Sequence, residues 1–395
     1  MSKKTLAFWS VAYLLFILML GSTMPSPLYV VYQRLWHFPA GTITLIYGVY
    51  ALGVLVSLLV FGHLSDHIGR RRVLIPAVLL MAISALFFMF AQNVLWLIIG
   101  RILMGLSVGL NTGTAAAAMQ DLHPRGNTRA ASLVVSMCTV LGLGLGPILS
   151  SLFVQFTSHP GVYAFLVLLV LLVGAFLGGW TIPQPRAFSL HNVFSRPHFP
   201  LRHPLFVLAI ATIFACYATM GMTSSLVPSF LISLLHVNNS VLGGGMLCLM
   251  FMSASVVQLL LRGVPHRFSI SGGLIILTLG LIILVGSFPL QSLWLFFLSI
   301  IIIGIGQGLS FMGSAAIVTH IASPEKRSAT SSAYFAIGYV AVGVPVIGLG
   351  LMANTLGLLP ATTGFVVIFS IFSLIVALAG LLINRRGKLQ DAVAA

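Results

Sequence analysis

Residues 43–91 read ITLIYGVYALGVLVSLLVF, then GHLSDHIGRRR, then VLIPAVLLMAISALFFMFA. Two apolar runs of about 20 residues flank a short polar turn that ends in Arg70, Arg71 and Arg72. A helix of that length crosses the hydrocarbon core of a bilayer. No water is available there, so the backbone must satisfy its own hydrogen bonds and the runs must be helices.

The same alternation continues in both directions. Apolar runs predict spans at 8–30, 43–62, 73–91, 95–118, 131–154 and 161–182, then at 204–227, 241–261, 272–289, 293–317, 331–353 and 361–384. Lys3 and Lys4 precede the first run as they would in a secretory leader. That run is long, however, and lacks a clear small-residue cleavage site, so it reads as a span. The expected fold class is an all-α membrane protein with twelve transmembrane helices in two pseudo-symmetric six-helix bundles.

Composition agrees. Of 395 residues, 59% are hydrophobic and 6% charged, against roughly a quarter charged in a soluble domain. The formal charge of +15 does not indicate nucleic acid, because the basic residues form short clusters between apolar runs. Cys138, Cys216 and Cys248 lie inside apolar runs without ligand spacing, so neither a disulfide framework nor a metal site is expected. No cofactor is implied.

With the N-terminus inside, seventeen of the nineteen lysines and arginines fall on the inner side; Arg34 lies outside and Arg101 within the fourth span. The positive-inside rule then puts both termini in the cytoplasm of a bacterial-type inner membrane. Trp36, Trp96 and Trp294 fall at outer boundaries and Trp180 at an inner one, as an aromatic belt requires. The proline-rich segment 183–203 is the expected linker between an N-terminal bundle, 1–182, and a C-terminal bundle, 204–395.

The halves echo each other about 200 positions apart. Gly113-Thr114-Ala115-Ala116 matches Gly313-Ser314-Ala315-Ala316, Gly21 and Thr23 match Gly221 and Thr223, and His37 and His236 follow at similar places. Paired six-span halves put a substrate site at the midplane.

The turn from Gly62 to Arg72 resembles the signature loop of the major facilitator superfamily, glycine-x-leucine-x-aspartate-x-x-glycine-arginine-arginine. Gly62 and Gly69 permit close approach and tight turning. The resemblance implies a gate in which Asp66 and Arg70 pair with an acid at the inner end of span four, here Asp121. The equivalent loop of the second half, 262–267, has no carboxylate. Arg101 and Gly105 resemble a second superfamily motif; a guanidinium inside a span needs water, carbonyls or a partner. Gly142, Gly146 and Pro147 resemble the glycine-x-x-x-glycine-proline motif of the drug:proton antiporter branch, although Ser150 and Ser151 stand where further glycines are usual.

The four acids are Asp66, Asp121, Glu325 and Asp391, and none is expected mid-span. A cargo is therefore expected to be neutral or anionic. Cavity candidates are Thr23, Tyr29, Tyr50, Asn111, Thr112, Thr223, Gln307 and Tyr339. The favoured reading is a monomeric secondary transporter that works by alternating access and exports a small amphiphilic solute by proton antiport. The alternatives are uptake or facilitated diffusion of a sugar or metabolite, and a non-transporting sensor or scaffold. No nucleophile–base pair or intramembrane acid pair suggests an enzyme, and no phosphate-binding loop suggests an ATP-driven pump.

Overall fold

A computed structural model describes residues 3–61, 64–184, 199–201, 203–261, 266–322 and 327–385. Fourteen helices and no strand lie among these described residues. The first half holds α1 (Lys3–Thr23), α2 (Pro25–Trp36), α3 (Ala40–Phe61), α4 (Leu64–Ile68), α5 (Arg70–Met89), α6 (Val94–Leu122), α7 (Thr128–Phe156) and α8 (Pro160–Gly179). The second half holds α9 (Pro204–Ser233), α10 (Ser240–Leu260), α11 (His266–Ser287), α12 (Leu293–Ile321), α13 (Arg327–Leu356) and α14 (Leu358–Arg385). Taking α1 with α2 as one span, twelve segments are long and apolar enough to cross a membrane.

Two details go beyond the apolar runs. Helices α6 and α12 overrun the expected spans toward their C-terminal ends, and α6 stops at His123, whose ψ of 125° is the extended backbone that Pro124 imposes on the residue before it. The first span breaks at Met24. Pro25 and Pro27 lack the N–H groups that would close the turns there, so the hydrogen-bond ladder is interrupted while Met24 keeps helical backbone.

The helices form two compact units. One comprises Met1–His37, Val49–Arg196 and Ser240–Gly245; the other comprises Phe38–Gly48, Pro197–Asn239 and Met246–Ala395. Most of the expected linker, 185–198 with residue 202, lies outside the described residues.

In the first unit α1 is the central helix, packed against α5, α6, α7 and α8. Hydroxyls on these helices donate to neighbouring backbones, Ser84 Oγ to Gly100 O at 2.7 Å and Ser107 Oγ to Ala77 O at 2.6 Å. In lipid such bonds and small-residue contacts hold helices together, since apolar burial gives no preference for a helix over a lipid tail. The second unit is centred on α9, against α12, α13 and α14.

Packing also repeats between the halves, in a register one residue short of the sequence match. A Cβ on Gly105 would lie 2.9 Å from Val54 N of α3, and one on Gly109 2.5 Å from Ser57 Cβ. The matching glycines of α12 do the same against α10: a Cβ on Gly304 would lie 3.1 Å from Met250 C, and one on Gly308 2.7 Å from Ala254 Cα. Both α6 and α12 are capped by a side chain that accepts from the second or third helical residue, Asn93 from Leu95 N and Ser292 from Leu295 N. His37 and His236 both adopt left-handed backbone, with φ of 51° and 54°.

Candidate functional site

The signature loop brings Arg70 to Asp121. Gly69, with φ of 96°, turns the chain into α5, a conformation that strains any residue bearing a Cβ. Arg70 Nε then donates to Asp121 Oδ2 at 3.3 Å and its Nη1 to Ser65 Oγ at 2.6 Å. Asp121 is 62% exposed, so the pair contributes little to stability, under about 1 kcal/mol. Beside it lies a cavity of about 430 Å³ lined by Ser65, Gly69, Arg70, Asp121 and the segment from Ile182 to Gln184. Arg71 rests over the Trp180 ring, 3.8 Å from its centroid. Gly62 and the side chain of Asp66 lie outside the described residues; the Asp66 backbone is part of α4.

A second polar centre surrounds Arg101 on α6, which is fully buried. Its Nη1 donates to Ser22 O at 2.8 Å and contacts Met104 Sδ at 3.3 Å, and its Nε donates to the Tyr29 hydroxyl. The rings of Tyr29, Tyr50 and Phe88 lie 5.2, 5.5 and 6.0 Å from the guanidinium carbon. Carbonyl and π faces thus replace part of the lost hydration of the cation. Asp121 stands about 30 Å further along α6.

The same break in the first span is held from a second side. Thr23 Oγ1 donates to Leu143 O of α7 at 3.0 Å. A Cβ on Gly142 would lie 2.7 Å from Phe16 O, and Gly146 lies directly against Leu20 O and Thr23 Oγ1. The small-residue motif therefore seats α7 on α1, with buried Pro147 following at once. Ser22 and Thr23 link α1 to α6 and α7, respectively, immediately before Met24.

The remaining candidates separate by unit. Asn111 is buried, and neither of its amide atoms has a hydrogen-bond partner. Thr112 donates to Val108 O of its own helix at 2.7 Å. In the second unit Thr223 donates to Thr219 O at 2.9 Å. Gln307 Nε2 donates to Thr219 Oγ1 at 3.2 Å and Cys216 O at 3.4 Å. Tyr339 stands edge-on to Tyr217, 5.7 Å between centroids. Sequence reasoning missed Ser22 O, Met104 and Phe88 around Arg101, and Tyr217, Phe311 and Phe335 around Tyr339. A backbone carbonyl carries no residue signal. Phe311, one turn beyond Gln307, was findable from helical spacing.

The sequence profile described as Major Facilitator Superfamily matches residues 11–345. The chain belongs to this superfamily. Its twelve long apolar helices fit a multi-pass membrane protein of this superfamily. Among curated relatives, this major facilitator chain is 35% identical over 92 residues to an arabinose-proton symporter of Bacillus subtilis, covering 23% of this chain and 20% of the relative. It is 28% identical over 145 residues to a putative multidrug resistance protein, MdtD, of an Enterobacter species, covering 36% and 31%. It is 25% identical over 146 residues to multidrug resistance protein D of Escherichia coli, covering 37% of each. These matches span well under half the length of the curated relatives.

Solved structures share the fold across nearly the whole chain. A bacterial homologue of the lysosomal transporter Spinster, inward-facing and unoccupied, matches with TM-score 0.75 at 16% identity, covering 96% of this chain and 98% of that one. The nucleoside transporter NupG matches with TM-score 0.77 at 14% identity, covering 95% and 99%.

Proposed function

We propose that this chain is a secondary active transporter of the bacterial inner membrane, working as a monomer with both termini in the cytoplasm. It exports a small amphiphilic solute by proton antiport, its two bundles opening a midplane site to one side at a time. The observation that carries the reading is the buried Arg101 bound to Ser22 O beside the break in the first span. A cation fixed at a helix break responds to any rotation of that break, because its carbonyl and hydroxyl partners move with α1 and α2. It also repels cationic cargo, and no acid lies mid-span to offset that repulsion, so the cargo is neutral or anionic. Antiport draws support from the relatives named as multidrug resistance proteins and from the Gly142–Gly146 seat of α7 on α1. Arg70, Asp121 and Asp66 are assigned to the inner gate, where an exposed ion pair can break and reform at little energetic expense.

The second reading, proton-coupled uptake of a sugar, is favoured by the similarity to the arabinose-proton symporter. The two differ in sign. In proteoliposomes with an imposed pH gradient, antiport accumulates solute in the acidic compartment and symport in the alkaline one. A growth-inhibition screen of deleted and overexpressing cells supplies the solute. Flux indifferent to the gradient would refute both forms of coupling.

A further inference from the structure

The second unit carries a cluster of half-buried aromatic rings that none of the motifs accounts for. Tyr217 of α9 stacks on Phe311 of α12, centroids 6.2 Å apart and planes 18° from parallel. Tyr339 of α13 closes edge-on against Tyr217, and Phe335 lies 6.4 Å from Phe311. All four are partly exposed. They occupy the middle stretches of three helices, where fully packed core rings such as Tyr334, 1% exposed, would otherwise be expected. Gly338 makes the arrangement possible, since a Cβ there would meet Tyr217 Cδ2 at 2.7 Å.

One turn before Phe311, on the same face of α12, is Gln307. Its amide orientation is dictated by chemistry. Cys216 O is a backbone carbonyl and can only accept, so the nitrogen of Gln307 must point at α9. The oxygen is thereby turned away from α9, and none of the described residues donates to it. That oxygen is not sealed off from solvent, and beside four rings it can accept from a donor.

We propose that Gln307 Oε1 with Tyr217, Phe311, Phe335 and Tyr339 forms the cargo-reading surface of the second unit, taking an uncharged planar aromatic solute that carries one N–H or O–H donor. The rings supply stacked and edge-on contact with the solute's π face. The glutamine accepts its donor. No charged side chain takes part, which matches a neutral cargo. A site built to bond a polar group rejects the analogue that lacks it more sharply than an apolar pocket rejects a change of size. The proposal rests on the transport reading given above, which concerns coupling rather than recognition.

The test uses the full chain, purified in detergent, and two fluorescent probes at pH 6: 7-hydroxycoumarin, a donor, and 7-methoxycoumarin, which has none. Binding is followed by fluorescence anisotropy without any gradient, so the result is independent of the direction and coupling of transport. The wild type should bind the hydroxy probe about five- to tenfold more tightly than the methoxy probe. Gln307→Leu should abolish that preference. Because Gln307 also ties α12 to α9, Phe311→Ala provides a second variant that removes no hydrogen bond; it should weaken both probes alike and keep the preference. Absence of binding in the wild type, an equal affinity for both probes, or a preference that survives Gln307→Leu would overturn the assignment, even if gradient-driven transport were established.

Discussion

The two units use one packing scheme with different chemistry at matching places. In the first, the glycines at the contact between the first and fifth spans sit on α7, as Gly142 and Gly146 against Phe16, Leu20 and Thr23. In the second, glycines sit on both helices, with Gly338 of α13 against Tyr217 and Ile213 of α9. Gly221 on α9 provides the gap, and Val342 and Val346 on α13 fill it, a Cβ on Gly221 lying 2.8 Å from Val346 Cγ2. The register that matches Gly105 to Gly304 sets Arg101 against Ile300, which is also fully buried. The duplicated scaffold keeps helix spacing while one unit holds a fixed charge and the other a neutral aromatic surface. On the transport reading proposed above, matching helix contacts carry side chains that divide the work.

The sharpest way to break this comparison is to erase the charge. Arg101→Leu removes the donors to Ser22 O and Tyr29 and should lower transport about a hundredfold or more in proteoliposomes. Arg101→Lys should not restore it, because a point-charge ammonium cannot bond the carbonyl and hydroxyl with one planar fork. Ile300→Leu, at the matching place in the second unit, should leave flux within about twofold. Comparable losses in both units would remove the distinction.

A middle-sized effect is expected where small residues seat the first span on the fifth. Gly146→Leu forces α7 off α1 and should lower thermal stability by about 1–3 kcal/mol, with a larger fall in transport, measured by thermal unfolding and flux. Val346→Ala opens a small void in the second unit and should be milder, about 1 kcal/mol. Asp121→Asn should change stability by under about 1 kcal/mol yet slow turnover several-fold, which separates a gate from a strut. The smallest effect, about 0.5–1 kcal/mol, is expected for Trp180→Ala, which removes the platform under Arg71.

The fold was legible because lipid leaves the backbone few options, and the 43–91 hairpin already displays them. The twelve spans and the internal repeat follow from apolar length and from blocks such as Gly113–Ala116 and Gly313–Ala316. Arg101, Gly142 and Gly146 could be named because their residue types are rare or informative inside a span. Their partners could not. Ser22 contributes a carbonyl common to every residue, and the bond from Arg101 to Tyr29 joins residues 72 positions apart on different helices. Gln307 was picked for its polarity alone; that its oxygen is open and its nitrogen occupied depends on Cys216 and Thr219 of another helix. Asn111, named on the same grounds, sits buried with its amide atoms unbonded, and no account of that emerges from its neighbours.

The most direct measurement compares Arg101→Leu with Gln307→Leu in two assays on the same preparations: coumarin binding, and solute accumulation driven by an imposed pH gradient. Divided labour predicts that the arginine variant binds within about twofold of the wild type but accumulates nothing. It also predicts that the glutamine variant loses the donor preference while its remaining flux still follows the gradient. If both variants lose binding and accumulation in parallel, the units do not have separate tasks and the account is wrong.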